Sequence, residues 1–156
     1  TTTEVDRETA EYLANIADLE IEELGRDIMS SASLVAKMPT PEIVRLDMKE
    51  YGASDVSFTV SQVEVNSPDE ILERGNEVLA ELAALRAKGG HFFSALMVTD
   101  ITELSSLLFI DGDKELVSLL RYPRIEDRVF ELKDVLSRKK QLVPLLTELT
   151  EKARSE

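Results

Sequence analysis

Phe92, Phe93, Ser94, Ala95, Leu96, Met97 and Val98 form a nearly unbroken apolar run, and it constrains this chain more than any other stretch. The run is far too short for the roughly 18 apolar residues of a membrane span. Without polar alternation, a run of this length reads as a strand buried on both faces. A second strand is predicted where Val56, Phe58 and Val60 alternate with polar residues. The alternation then shifts phase to Val63 and Val65, which predicts a bulge near Ser61-Gln62. A third apolar run, Leu107-Leu108-Phe109-Ile110, ends at Asp111-Gly112, and residues 129–132 read as a short strand.

Helical signals fall between these strands. Ser67-Pro68-Asp69-Glu70 is a capping box with proline at the first helical position. The helix it opens passes through Ile71, Leu72, Val78, Leu79, Leu82 and Leu85 and stops at Gly89-Gly90. Residues 113–120 predict a short helix. Residues 137–152 predict a longer one through Leu142, Leu145, Leu146 and Leu149. Pro144 lies inside it, so that helix either begins after Ser137 or carries a kink. Upstream, residues 4–17 and 20–35 have helical periodicity. Thr40-Pro41, a side-chain cap followed by proline, opens a short helix through Ile43, Val44 and Leu46. The expectation is an α/β fold: a mixed, partly parallel sheet flanked by helices, with a helical N-terminal subregion. One domain holds residues 1–50 as that subregion and residues 54–156 as the sheet region.

Charge and residue usage narrow the function. A net charge of -13 argues against nucleic acid, whose phosphates need a broad basic field. The absence of cysteine removes disulfides and thiolate metal sites. The acidic, polar N-terminus is not a signal peptide and no window spans a membrane, so a cytoplasmic setting is expected. Thr1 is not methionine, and the chain reads as cut from something longer. His91, the sole histidine, cannot build a multi-histidine metal site and has no assignable catalytic partner. Glu20, Glu22 and Glu23, and Asp111 and Asp113, stand where solvated helix ends and turns put them. No phosphate-binding glycine loop, nucleophile elbow or EF-hand loop is present.

One cluster departs from this acidic background. Arg138, Lys139 and Lys140 stand together before an apolar helical pattern, with Ser137 as a cap and Gln141 following. A helix start offers unpaired N–H groups and a positive dipole end, so cations there repel the dipole and one another. An anion offsets that penalty: arginine grips phosphate oxygens with a planar fork, and lysine adds a mobile charge. On the residues alone, a phosphate-type grip and a solvated basic patch stand level. As a grip, Arg138 is expected to be exposed and to hold up nothing in the core.

The stretch from Ser137-Arg138-Lys139-Lys140-Gln141 on through Leu142-Val143-Pro144-Leu145-Leu146-Thr147-Glu148 resembles the C-terminal signature of the manganese-dependent (family II) inorganic pyrophosphatases, of the DHH phosphoesterase superfamily. Thr2-Thr3-Glu4, Leu46-Asp47-Met48-Lys49, Val60-Ser61-Gln62-Val63 and Met97-Val98-Thr99-Asp100-Ile101 resemble further family segments in the same order. The family often has glycine three residues before the serine, where this chain has Asp134.

The resemblance implies the C-terminal, DHH-associated domain alone, without the N-terminal domain whose histidines and aspartates hold manganese (or magnesium). Lys49, Arg138 and Lys139 match residues that grip pyrophosphate or phosphate, with Lys140 and Gln141 belonging to the motif and Ser137 shaping the turn. It further implies a hydrolase splitting pyrophosphate into two phosphates, a homodimer when full length, and an isolated chain that is inactive. An exopolyphosphatase-like relative, or a stand-alone phosphate-binding module, are the competing readings.

Overall fold

The computed structural model describes residues 37–155, and the helices expected over residues 4–17 and 20–35 lie outside them. The described chain begins with α1 (Thr40–Ile43), then β1 (Lys49–Ala53) and β2 (Val56–Val65). Two helices, α2 (Asp69–Glu73) and α3 (Gly75–Gly89), lead to β3 (Phe93–Asp100) and β4 (Ser105–Gly112). Next come α4 (Lys114–Leu119), β5 (Arg124–Glu126) and β6 (Val129–Lys133). A π turn (Arg138–Leu142) then runs into α5 (Val143–Ser155).

The strands form one sheet in the order β1-β2-β3-β4-β6-β5. Only β2 and β3 pair in parallel, with α2 and α3 as their crossover, and every other pairing is antiparallel. The expected mixed, partly parallel sheet flanked by helices is therefore the fold. Every residue of β3 is buried, because helices cover both faces of the sheet. Phe93, Ala95 and Met97 face α4 and α5, meeting Leu116, Leu146 and Leu149. Leu96 and Val98 face the other way, onto Ile43 of α1, Ile71 of α2, and Val78 and Leu82 of α3.

Four local expectations are corrected. No bulge interrupts β2, whose register against β3 is regular from Phe58 to Val65. The phase shift has another cause: Phe58 and Val60 join the α4–α5 core, while Val63 and Val65 join the opposite one. The intervening polar side chains are buried but satisfied, Thr59 donating to Ser94 Oγ at 2.8 Å and Ser61 to the Val44 carbonyl at 2.5 Å.

Second, the helix expected from the capping box is broken at Arg74, which caps α2 in a non-helical conformation and sends Nη1 to the Met38 carbonyl at 2.6 Å. Ser67 still takes the Asp69 N–H, at 3.4 Å, and α3 ends as expected on a left-handed Gly90. Third, Thr40 does not cap α1. The helix already includes it, and its hydroxyl donates to Glu77 Oε2 of α3 at 3.1 Å. Fourth, the helical subregion does not extend through residue 50, since β1 begins at Lys49 and pairs with β2 as an edge strand. Among the described residues no helix is long and apolar enough to cross a membrane.

Candidate anion-binding site

The basic run folds as a π turn rather than as the start of a regular helix. Ser137 is its cap, as expected, with Oγ accepting from the Lys140 N–H at 3.0 Å. The Leu142 N–H reaches the Ser137 carbonyl at 3.1 Å, and the Val143 N–H bonds the Arg138 carbonyl. This widened turn accommodates Pro144. The proline falls at the start of α5, where its missing N–H breaks no helical bond.

Arg138 points inward and is only 6% exposed. Its Nη1 donates to the carbonyls of Asp47 and, at 3.1 Å, Val60, and its Nη2 donates to Asp47 Oδ2 at 3.0 Å. The expectation of an exposed side chain that holds up nothing is therefore corrected. The guanidinium is a strut between the π turn, the loop before β1, and β2. Burial is tolerable because the charge is paired with the Asp47 carboxylate and three of its five donors are used on acceptors at hand.

Those acceptors locate Lys49. It opens β1 two positions after Asp47 and sits opposite Val60 in the β1–β2 ladder. The structure thus brings the Lys49 segment and the Arg138 turn together at one sheet edge. Lys49, Lys139 and Lys140 are all exposed, and none has an ion-pair partner among the described residues. The repulsion expected of three adjacent cations is relieved by this division: Arg138 is buried against Asp47, and the two lysines face water.

Gln141 is engaged by the backbone. Its Oε1 accepts from the N–H groups of Leu136 at 2.8 Å and Ser137 at 2.9 Å, and its Nε2 donates to the Asp134 carbonyl at 3.0 Å. The side chain shapes the loop that delivers the π turn. Asp134 has φ of 64°, the left-handed region where glycine is at ease and aspartate is tolerated. Gln141→Ala is expected to cost about 1 kcal/mol, lowering the melting temperature by roughly 2–4 °C. A thermal melt unchanged by the substitution would show that water replaces the glutamine without loss.

Two other noted residues are structural. Asp100 ends β3 by accepting from the Thr102 hydroxyl at 2.6 Å and the N–H groups of Thr102 and Glu103 at 2.9 and 3.0 Å. Burial acts to raise its carboxyl, but these bonds outweigh burial and hold it below the ordinary range. His91 is half-buried, its ring lying between Ser57 Oγ, 2.8 Å from Nδ1, and Glu50 Oε1, 3.5 Å from Nε2. No group of three or more histidine, aspartate or glutamate side chains among the described residues is placed to hold a metal ion.

Sequence reasoning missed Asp47 as a site residue, although it stands inside the Leu46-Asp47-Met48-Lys49 segment. Its φ of 49° is a second mark, visible only in the fold.

Known proteins share this architecture. A probable manganese-dependent inorganic pyrophosphatase of Thermotoga maritima is 33% identical over 157 residues, taking in 99% of this chain and 28% of that protein. The manganese-dependent inorganic pyrophosphatase of Methanocaldococcus jannaschii is 32% identical over 147 residues, or 94% of this chain and 48% of that protein. A crystal structure of a candidate family II inorganic pyrophosphatase from Methanococcus jannaschii superposes with a TM-score of 0.75 at 31% identity, over 95% of this chain and 48% of that one. The chain thus spans less than half the length of these relatives. The DHHA2 domain matches residues 26–149, which include the loop of Asp47, the β1–β2 edge and the whole π turn, and the chain belongs to the DHHA2 domain family.

Proposed function

We propose that this chain is the substrate-gripping domain of a manganese-dependent inorganic pyrophosphatase that hydrolyses pyrophosphate to two phosphates. The observation that carries the reading is the tie of Arg138 to Asp47 and Val60. That tie sets the turn bearing Lys139 and Lys140 beside the strand that opens with Lys49. The names of the relatives supply the substrate and the metal.

Hydrolysis of a phosphoanhydride leaves negative charge on phosphoryl oxygens, and cations held in place beforehand stabilise it most. Lys49 and Lys139 bring mobile charges from two separate segments, while Arg138 contributes a fixed fork. The described residues do not fit a manganese centre. In this reading manganese (or magnesium) belongs to an N-terminal DHH domain of the same protein, against which this domain closes to orient substrate and exclude water. The complete protein is then a cytoplasmic, homodimeric enzyme.

The test is phosphate release by the complete protein with manganese. Lys49→Ala and Lys139→Ala are each expected to lower kcat/KM for pyrophosphate by about tenfold or more, whereas Lys88→Ala on α3 leaves it unchanged. A protein that cleaves tripolyphosphate but not pyrophosphate overturns the reading, as does one indifferent to both lysines.

A further inference from the structure

We infer that Asp47 is a positioning residue, clamping one edge of the Arg138 guanidinium so that the opposite edge is the one offered to a phosphoryl group. This rests on the pyrophosphatase reading and deepens it. Asp47 takes a donor from each terminal nitrogen of Arg138, using its carbonyl for Nη1 and its Oδ2 for Nη2. Val60 takes a further Nη1 donor through its carbonyl at 3.1 Å. A guanidinium has five N–H donors in a rigid plane. The donors left without an acceptor among the described residues are Nε–H and the remaining Nη2–H. Those two lie side by side and parallel, and such a pair matches two oxygens of one phosphoryl group.

Three features make Asp47 suited to this role. Its backbone is left-handed, which turns its carbonyl and its carboxylate toward the same guanidinium. Its side chain is 61% exposed while that of Arg138 is 6% exposed, so the pair lies at the boundary between core and solvent. It also precedes Lys49 by two residues, so the residue that fixes the fork also begins the strand carrying the lysine. A shift of either cation relative to the other is resisted by the same contact.

The experiment is steady-state pyrophosphate hydrolysis by the complete protein with manganese, comparing wild type, Asp47→Ala, Asp47→Asn, Arg138→Lys and the double variant Asp47→Ala/Arg138→Lys. Asp47→Ala is expected to lower kcat/KM by about tenfold or more, since a misplaced binding group costs one to two orders of magnitude. Asp47→Asn retains an oxygen for Nη2 and should recover most of that loss. If Asp47 acts through the fork, Asp47→Ala adds less than about twofold once Arg138→Lys has removed it. A merely structural aspartate would instead give multiplying losses in the double variant, and that result overturns the proposal.

Two other outcomes overturn it as well: Asp47→Ala with wild-type kcat/KM, or Asp47→Ala with a lower KM for pyrophosphate, which would make the carboxylate a competitor of substrate. Should Asp47→Ala not fold, Asp47→Gly, which removes the carboxylate and suits the left-handed backbone, takes its place in the double variant and gives the same comparison. A wild-type protein that leaves pyrophosphate intact overturns the parent reading and this one with it, so the two failures are told apart by the wild-type assay.

Discussion

Replacing Arg138 with alanine is expected to damage stability and activity together. In the folded chain this side chain bonds the carbonyls of Asp47 and Val60 and the carboxylate of Asp47. Truncation removes a charged donor from both the Val60 and the Asp47 carbonyls, and each such bond lost costs about 1 kcal/mol or somewhat more. The Asp47 carboxylate is mostly exposed and water takes over much of its solvation, so the loss there is smaller than for a fully buried pair. A total of about 2–3 kcal/mol follows, which lowers the melting temperature of a domain this size by roughly 4–12 °C.

In the complete protein the same substitution removes the fork, and kcat/KM for pyrophosphate is expected to fall more than about tenfold at temperatures where the variant is folded. Arg138→Lys separates the two effects. Lysine keeps the charge but cannot bridge Asp47 and Val60 while presenting two parallel donors. Alanine and lysine variants that both melt and turn over like wild type would show that Arg138 is neither strut nor grip.

The interior of the sheet was readable because apolar runs leave few alternatives. The residues from Phe93 to Val98 could only be a strand covered on both sides, and Gly90 could only end a helix in the left-handed region it adopts. The path of β2 was ambiguous in principle. A phase shift in alternation arises either from an inserted residue or from a strand whose two halves bury opposite faces, and one sequence holds both possibilities. Here the second operates, because α1 and α2 cover the Val63–Val65 end while α5 covers the side of Phe58 and Val60. The short strand β5 is wholly exposed and has no apolar pattern to betray it.

The site divides in the same way. Local chemistry marked Ser137 as a cap and Pro144 as a disturbance, and both are explained by one π turn. The burial of Arg138 was hidden because its partner Asp47 is 91 residues away in sequence. A basic triplet looks uniformly solvated until the fold supplies an acceptor for one member. The correction also changes the meaning of the motif: its arginine is placed by the protein, and its lysines are left to whatever approaches.

The 156-residue polypeptide expressed alone is expected to hydrolyse pyrophosphate no faster than a buffer control, with or without added manganese. Gripping a phosphoanhydride and cleaving it need different groups. Cleavage needs an activated water or another nucleophile in line with the bond, together with charge stabilisation at the leaving oxygen. Lys49, Arg138 and Lys139 can offer only the second of these. The single histidine is held by Ser57 and Glu50, and the chain has no cysteine. Among the described residues, no carboxylates gather into a set that could hold a metal.

Positioned cations lower the barrier only where a nucleophile is already delivered, so the rate enhancement of an entire pyrophosphatase should collapse toward background when the partner domain is missing. Supplying a separately expressed N-terminal domain of the same protein should restore part of the rate in trans, with Lys49→Ala and Arg138→Ala abolishing the rescue. The decisive control is a mock purification carried through the same steps, because traces of host pyrophosphatase imitate a weak activity. Turnover by the chain alone that survives this control and falls with Arg138→Ala would place a complete catalytic apparatus within these 156 residues, and would require a nucleophile that the described residues do not reveal.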